Sequence, residues 1–447
     1  YEISECLVGS EMCIRDSLRG LEREEILRVL EQNALGTSDA TYFTTIEEAG
    51  DGLLTGEAIF FVDGFAKAVK IPDDGYPNMG INEADSEKVV RGSNEGFGDS
   101  VKQNAALIRK RIRSPQVKVK EKKMGVRSNT NVYLVYMEGI AYPELVAKIE
   151  EQLDGFEIDG VLDSGVIEQL SEEKWYSPFP QLQTTKRPDV AVNALLEGRV
   201  VVLCDNSPIA IILPTTMNNF LKTADDYYNR TIAASFARLI RYVAAFMSFT
   251  LPGLYLAVTN FHTQILPTPL ILAFYEARLG CPFPQLIEVL MMELSFELLR
   301  EAGIRLPGAM GNTIGIVGGL IIGQAAVDAN LVSPIVVILV AFTALCSFAI
   351  PSEEFAFSFR ILKFAVIMMS AWLGYFGFLI SLMVILLHLA KLKSCGYPYM
   401  MPFVGSELTG GEDEKDSIIR FPLRRLWRRP VFAREKECRK LKGNKDD

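Results

Sequence analysis

Histidine is scarce in this chain: His262 and His388 are the only two among 447 residues. Two histidines give no basis for a His-rich metal site. The seven cysteines are scattered, and none belongs to a Cys-x-x-Cys pair or shows disulfide or zinc spacing. A reducing compartment is the simpler interpretation of such cysteines. We therefore expect neither a metal ion nor another cofactor.

Recognisable catalytic motifs are also missing. The chain has no G-x-x-x-x-G-K-[ST] phosphate loop, no H-E-x-x-H zinc motif, no G-x-S-x-G nucleophile turn and no G-x-G-x-x-G after a strand. Carboxylates are plentiful, but their positions single out no pair for acid–base chemistry. The sequence therefore offers no catalytic centre, and we expect a protein that is not an enzyme.

An excess of positive charge is lacking as well. Lys and Arg number 46 against 55 Asp and Glu, which gives a net charge of -9. This balance argues against a nucleic-acid partner, whose binding depends on neutralising phosphates. Hydrophobic residues make up 49% of the chain, and the mean hydropathy is +0.18. A soluble domain of this size rarely averages above zero, so part of the chain is expected to lie in lipid.

The polar first part of the chain, residues 18–237, mixes helical and strand patterns. This mixture predicts an α+β region in the cytosol. Within it, LLTGEAIFFVDGFAKAVKIP (53–72) aligns without gaps on LLEGRVVVLCDNSPIAIILP (195–214). Each copy predicts a helix end, a glycine stop and a β-hairpin. Duplication of a subdomain and chance similarity between two hairpins both explain the match.

From Arg238 onward the composition changes to long uncharged runs. Four runs are long enough to cross ~30 Å of hydrocarbon at about 1.5 Å per residue, which predicts an all-α polytopic membrane domain. A shorter apolar run, 265–275, contains two prolines and is predicted to be re-entrant or interfacial. The four long runs are 242–261, 306–327, 329–352 and 365–390.

Basic residues flank the apolar part on both sides and are dense in the tail at 421–442. The positive-inside rule then places both termini in the cytosol, which requires an even number of crossings. Anionic lipid is the expected partner of the tail, with a nucleic-acid patch as the alternative. Residues 1–17 have no clean period and are interpreted as a foreign segment. The predicted domains are this segment, the subdomains 18–180 and 181–237, a transmembrane domain 238–392 and a basic tail 393–447.

Four glycines recur every fourth residue in GNTIGIVGGLIIGQAAV and form a bare stripe on one helix face. Bare stripes let helices approach closely in lipid, where van der Waals contact replaces the hydrophobic effect. One interpretation is a helix of an oligomer or gate around a central axis; the other is ordinary packing within one chain. The glycines are Gly311, Gly315, Gly319 and Gly323.

Glu293, Glu297 and Glu301 follow the same spacing of four on the amphipathic segment that starts near Gln285. In a ring of subunits they would form stacked carboxylate rings, a lining that selects cations. The alternative is an interfacial helix whose carboxylates lie in solvent. Asp328 is the lone charge between Arg305 and Glu353, and is either a functional residue or part of a loop between two spans.

Long motifs run through nearly the whole chain, from about Leu18 to the basic tail. Together they resemble the A-subunits of bacterial spore germinant receptors, the GerABKA family. The motifs include VRGSNEGFGDS (90–100), NAALIRKRIRSP (104–115), YSPFPQLQTTKRPD (176–189), DDYYNR (225–230), the long stretch PFPQLIEVLMMELSFELLREAGIRLPGAMGNTIGIVGGLIIGQAAVDANLVSP (282–334) and YPYMMPF (397–403).

The resemblance implies residence in the inner membrane of the spore, as a multi-pass protein. It also implies a complex with a permease-like B-subunit and a lipoprotein C-subunit. In this family the complex detects nutrients and triggers germination with release of monovalent cations. The permease-like subunit is the usual candidate for holding the nutrient, so this chain is expected to be the transducer.

Two mechanisms fit a transducer. The first is a ligand-gated cation channel, a homo-oligomer with Glu293, Glu297 and Glu301 near the conduction path. The second is a non-conducting scaffold that couples the permease-like subunit to cytosolic partners through residues 18–237. A secondary transporter predicts an inverted repeat of membrane helices, and the sequence shows none.

Overall fold

The computed structural model describes most of residues 91–434, with gaps at 306–322, 406–411 and 427, and short stretches at 41–89 and Arg439. The predicted foreign segment therefore lies outside the described residues. The chain divides into two compact units. The N-terminal unit comprises Tyr1–Lys88, Ser93–Ile167 and Thr184–Ile212, and the helical unit comprises Val89–Gly92, Glu168–Gln183 and Leu213–Asp447.

These units do not follow the predicted domain boundaries. The boundary predicted at 180 falls inside Glu168–Gln183, a segment that belongs to the helical unit. The boundary predicted at 237 falls inside one continuous helix, Thr231–Phe261. Charge and hydropathy change near Arg238, but the backbone continues as a helix because nothing there breaks its hydrogen bonding.

Two antiparallel sheets form in the N-terminal unit. The larger sheet has the order β4-β5-β7-β8-β6, and the smaller has the order β1-β3-β2. β5 is mostly buried and pairs with β4 on one side and β7 on the other. The strands are β1 (Thr41–Phe43), β2 (Ala58–Phe60), β3 (Ala68–Ile71), β4 (Val117–Met124), β5 (Thr130–Met137), β6 (Gln183–Thr185), β7 (Val200–Cys204) and β8 (Ala210–Leu213).

Both copies of the sequence repeat contain a pair of neighbouring strands. In the first copy β2 and β3 are antiparallel, with Ala58 opposite Ile71. In the second copy β7 and β8 are neighbours in the larger sheet, and Asn206 between them has a positive φ of 64°. The predicted hairpins are thus confirmed. Duplication and chance similarity both predict this result, so the origin of the repeat stays open.

Helices cover the larger sheet, and the one that begins at Val101 is not capped by the side chain of the residue before it. Ser100 precedes the first helix but makes no side-chain capping bond. The Asp205 carboxylate instead accepts a hydrogen bond from the Val101 backbone N–H at 3.1 Å. A residue at the hairpin turn thus caps a helix distant in sequence. The helices are α1 (Val101–Arg111), α2 (Pro143–Asp154), α3 (Ser164–Ser171) and α4 (Pro188–Leu196).

Long apolar helices dominate the helical unit. Two of them, α7 and α11, are long and apolar enough to cross a membrane. α10 has only 15 residues, fewer than the predicted run 329–352, because Ser333-Pro334 starts it and Pro351 follows it. The helices are α5 (Met217–Phe220), α6 (Asp225–Tyr228), α7 (Thr231–Phe261), α8 (Thr268–Glu276), α9 (Gln285–Arg305), α10 (Pro334–Phe348) and α11 (Glu353–Lys391), followed by strands β9 (Lys393–Ser394) and β10 (Tyr397–Pro398).

α11 is not one straight span but two arms that fold back on each other. The Phe179 ring lies 5.9 Å from the Phe355 ring and 6.1 Å from the His388 ring. Phe355 and His388 are therefore within about 12 Å, whereas a straight helix would separate them by ~50 Å. The reversal occurs at Gly374, whose φ of 60° and ψ of -137° are not helical. This corrects the prediction of a single crossing over 365–390.

The directions of the helices follow from their contacts. The ring of Phe249 stacks on Phe359 at 5.0 Å, and Phe261 at the end of α7 lies against Gly374. α7 and the first arm of α11 (353–373) therefore run in the same direction. The second arm (375–391) runs back, so the end of α11 returns to the side where α7 begins.

α9 runs opposite to the first arm of α11. Its residues pair with that arm in reverse order, Arg300 with Glu353 and the earlier Glu293 with the later Lys363. α9 and α10 run in the same direction, since Ser333 binds Glu288 near the start of α9. Arg305 and Ser333 consequently lie at opposite ends of the helical unit.

Candidate functional site

The three carboxylates predicted to line a pore lie in different environments. Glu293 is 2% exposed, Glu297 is partly buried, and Glu301 has 60% of its side chain exposed. Glu301 binds Arg305 one turn further along at 2.5 Å. The helical spacing is as expected, but only Glu293 and Glu297 face the interior of the unit.

Two basic side chains of α11 neutralise these two carboxylates. Lys363 Nζ lies 2.5 Å from Glu293 Oε2 and 3.4 Å from Glu297 Oε1. Arg360 Nη1 lies 2.9 Å from Glu297 Oε2. Arg360 and Lys363 are three residues apart and so project from the same helix face. We call these four residues the acid–base cluster.

The acid–base cluster is balanced in charge and nearly closed to water. The side chains of Lys363 and Arg360 are 6% and 12% exposed. Moving such charges out of water is costly, and only close pairing offsets that cost. Oε1 of Glu293 is buried and has no hydrogen-bond partner among the residues that the structure describes. The cluster therefore holds one carboxylate oxygen with unused coordinating capacity.

A further buried carboxylate fixes the start of α10. Glu288 is fully buried, and its Oε1 accepts a hydrogen bond from Arg278 at 3.0 Å. Its Oε2 accepts one from the Ser333 backbone N–H at 3.2 Å. Because both oxygens have partners, Glu288 serves as a structural connection between α9 and α10.

Asp328 is exposed and lies outside the acid–base cluster. It is the last helical residue before a turn in which Asn330 has a positive φ of 54°. This position fits the loop alternative better than an intramembrane role.

One of the four glycines of the stripe, Gly323, lies among the described residues. Gly323 is buried, and a Cβ there would lie 3.5 Å from Val337 of α10. This is a packing contact within one chain. Gly311, Gly315 and Gly319 lie outside the described residues, so a role in oligomer contacts stays a prediction.

A second charged cluster, the tail cluster, joins the start of α7 to the C-terminal tail. Asp416 lies 2.7 Å from Arg238 and 2.9 Å from Lys222. Asp226 lies 2.9 Å from Arg238 and 2.6 Å from Arg241. Arg238 and Arg241, near the start of α7, are thus both paired with carboxylates, and Arg238 is completely buried.

Electrostatics keep the carboxylates of the tail cluster ionised. Burial alone would raise the pKa of Asp416, but Lys222 and Arg238 outweigh it and hold that pKa well below its usual range. Burial likewise opposes ionisation of Asp226, whose pKa is lowered by hydrogen bonds from Arg241 and Arg238. The tail is therefore fixed by charge at any pH near neutrality.

Sequence reasoning did not find Arg360, Lys363 or Asp416. A usable signal existed for the first two. They are the last charges before the uncharged run 365–390, and ionisable residues bordering a span often face protein or water. Asp416 gives no such signal, because it lies among many acidic and basic residues of a polar tail.

Comparison with known proteins gives matches over nearly the whole chain. A family model described as Bacillus/Clostridium GerA spore germination protein matches residues 8–432. This match begins inside the segment 1–17 that is predicted to be foreign. Spore germination protein B1 of Bacillus subtilis (strain 168) is 38% identical over 87% of this chain and 80% of its own length.

Other relatives show similar coverage. Spore germination protein A1 of the same organism is 37% identical over 92% of this chain and 85% of its own length. The uncharacterized membrane protein YfkQ of the same organism is 39% identical over 92% of this chain and 78% of its own length. The crystal structure of the N-terminal domain of the A subunit of the Bacillus megaterium spore germinant receptor GerK3 is 26% identical, covers 45% of this chain and 72% of that one, and superimposes with a TM-score of 0.33.

Proposed function

This chain belongs to the GerA family of spore germination proteins, and from that premise we propose that it transduces nutrient binding into germination as the A-subunit of a germinant receptor. Its partners would be a permease-like B-subunit, which holds the nutrient, and a lipoprotein C-subunit. The proposal assigns this chain no catalytic centre and no cofactor.

The proposed location is the inner membrane of the spore, with six crossings by the helical unit. α7, α9, α10 and the two arms of α11 would give five of them, and the uncharged run 306–327, predicted from the sequence as a span, would give the sixth. An even number returns the tail to the side on which α7 begins, and we propose that this side is the cytosol because the tail is basic. The tail would lie against anionic lipid there.

The proposed mechanism is a ligand-gated cation channel formed by several copies of the chain. The observation that supports it is the acid–base cluster, which sets two carboxyl groups and their basic partners inside a unit of apolar helices. Ionisable residues in such surroundings mark ion pathways more often than they serve stability alone. Glu293 and Glu297 would lie near the path, whereas the exposed Glu301, paired with Arg305, would lie outside it.

A non-conducting scaffold is the second candidate, and one observation favours it. Both inner carboxylates are already neutralised by Lys363 and Arg360 of the same chain, so they do not form a free acidic lining in this conformation. The charges would then fix the packing of α9 against α11 while the chain relays movement to the cytosol.

Cation flux in liposomes that contain the receptor complex separates the two candidates. A channel predicts nutrient-triggered flux that Glu297→Ala abolishes or leaves permanently on. The control is Glu301→Ala, which removes an exposed carboxylate of the same helix face and should leave flux near that of the wild type. Gly319→Leu tests the oligomer contact in the same assay. Wild-type flux from Glu297→Ala and Gly319→Leu, with the complex intact, would contradict the channel.

A further inference from the structure

The ammonium group of Lys363 occupies the position of a cation shared by two carboxylates. Its Nζ has one oxygen of Glu293 at 2.5 Å and one of Glu297 at 3.4 Å. Lys363 and Glu293 are 6% and 2% exposed, so water hardly reaches the pair. An ammonium group and a potassium ion are similar in size and equal in charge, and both are satisfied by surrounding oxygens.

The charge of the surroundings is suited to one monovalent cation. In their ionised forms Glu293 and Glu297 contribute two negative charges, and Arg360 at 2.9 Å from Glu297 offsets one of them. One negative charge remains, which Lys363 neutralises in this conformation. A divalent ion would leave an excess positive charge in a buried site, which is unfavourable.

Glu293 also has a second carboxylate oxygen, which Lys363 does not bond. Its Oε1 is buried and is bonded to none of the described residues. A buried acceptor without a donor is costly, whereas a cation coordinated by both carboxylates would satisfy it. This unused oxygen is independent of the Lys363 contact and points to a second possible occupant.

We propose that Glu293 and Glu297 form a binding site for a monovalent cation such as potassium, which Lys363 fills as a tethered plug. When α11 shifts relative to α9, the ammonium group leaves and an ion takes its place. The inference deepens the proposed role in cation release and rests on it for its biological meaning. It assigns Lys363 the function of keeping the site closed in the resting state.

The test uses the purified full chain in detergent and the variant Lys363→Met, which removes the ammonium group but keeps much of the apolar stem. Exchange of choline for potassium at constant ionic strength should raise the unfolding temperature of this variant by about 3 °C. The wild type should change by less than about 1 °C, because its own lysine fills the site.

The matched control is the double variant Glu293→Gln/Lys363→Met, in which the remaining Glu297 is balanced by Arg360. It should show no response to potassium. If Lys363→Met does not fold, Lys363→Gln gives the same net charge and offers an amide donor to Glu293, and it is tested in the same way. Absence of a potassium response in the folded single variant, or an equal response in the double variant, would overturn the site.

The flux assay separates this inference from the proposed function. A wild-type complex that conducts, together with a Lys363 variant that ignores potassium, refutes the site and leaves the channel standing. A wild-type complex that never conducts, together with a potassium-stabilised Lys363 variant, refutes the channel and leaves the site standing.

Discussion

The carboxylates of α9 contribute differently to the stability of the protein, because their partners differ in burial. Glu293 pairs with Lys363 away from water, whereas Glu301 pairs with Arg305 at the surface. Exposed pairs contribute about 0–1 kcal/mol to stability because solvent screens them. Removing one member of a buried pair leaves an uncompensated charge and costs about 3–5 kcal/mol.

We therefore expect Glu293→Ala to destabilise the protein strongly and Glu301→Ala hardly at all. The first should lower the free energy of unfolding by about 3 kcal/mol and the second by less than about 1 kcal/mol. Thermal unfolding of both variants in the same detergent measures the difference. Equal losses would mean that the burial of Glu293 does not decide its contribution.

The tail cluster makes a prediction about pH. Because the folded-state pKa of Asp416 is lowered, its ionised form stabilises the fold, and this contribution is complete above the unfolded pKa of about 4. It is lost only as the pH falls below that value. Asp416→Asn should therefore cost about 2 kcal/mol, with the same cost throughout the range from about pH 5 to 8.

Unfolding temperatures of this variant and the wild type across that pH range provide the measurement. Asp159→Asn is the control, since Asp159 and its partner Arg127 are both more than 80% exposed. The unfolding temperature of this control should stay close to that of the wild type at every pH. A cost of Asp416→Asn that shrinks between about pH 7 and 5 would show that the carboxylate titrates near neutrality.

At this scale the sequence indicated which face of α9 carries carboxylates but not what they bind. The four-residue spacing of these glutamates places them on one helix face, which follows from helix geometry alone. The partner of Glu293 lies 70 residues further along the chain, and no local pattern connects the two. Only the packing of α9 against α11 shows that the acidic face is neutralised within the chain.

The reversal within α11 depends on Gly374. A side chain at Gly374 would meet the Phe261 ring at 2.8 Å while the backbone holds a φ of 60°. Gly374→Ala should therefore cost about 2 kcal/mol or more through backbone strain and crowding. Gly303→Ala in α9 is the control, because a Cβ there meets nothing within 4 Å.

Replacing the helical Gly303 should stabilise the protein by about 0.5–1 kcal/mol. Thermal unfolding of the two glycine variants gives opposite signs if the hairpin in α11 is correct. A neutral or stabilising Gly374→Ala would indicate that α11 continues as a regular helix.

The position of Trp175 predicts that its side chain contacts lipid headgroups. It is 86% exposed, and its neighbour Lys174 binds the Lys391 carbonyl at the end of α11 at 3.1 Å. Ser177 contacts His388 at 2.9 Å, which ties this segment to the end of an apolar helix. Tryptophan favours such an interface between water and hydrocarbon.

In a variant that keeps Trp175 as its only tryptophan, we expect its fluorescence to shift to shorter wavelength in liposomes. Lipids brominated near the headgroup should quench it more strongly than lipids brominated at the chain ends. A single-tryptophan variant with Trp372 is the control for a residue within the apolar helix. Emission of Trp175 unchanged by lipid would place it in water.

Local patterns were enough to predict the two hairpins, since each depends on a turn between two short apolar runs within a few residues. The reversal in α11 could not be predicted in this way. Gly374 lies within an uncharged run, and hydropathy does not distinguish one long span from two shorter arms. The capping of α1 by Asp205 was also missed, because it depends on the sheet that brings the turn to the helix.

For the whole molecule, the paired directions of α7, α9, α10 and both arms of α11 account for a chain whose apolar part begins and ends on the same side. The acid–base cluster lies between α9 and the first arm of α11, so a relative movement of these helices changes its charge pairing. Under the proposed function, this arrangement would couple a conformational signal to cation movement.

Potassium release from spores tests the central claim most directly. The spores would carry this chain, its B- and C-subunits and no other germinant receptor, and nutrient mixtures would be added to them. The account predicts rapid release with the wild-type chain and none after deletion of the chain alone. Equal release from spores with and without the chain would contradict its role as the transducer.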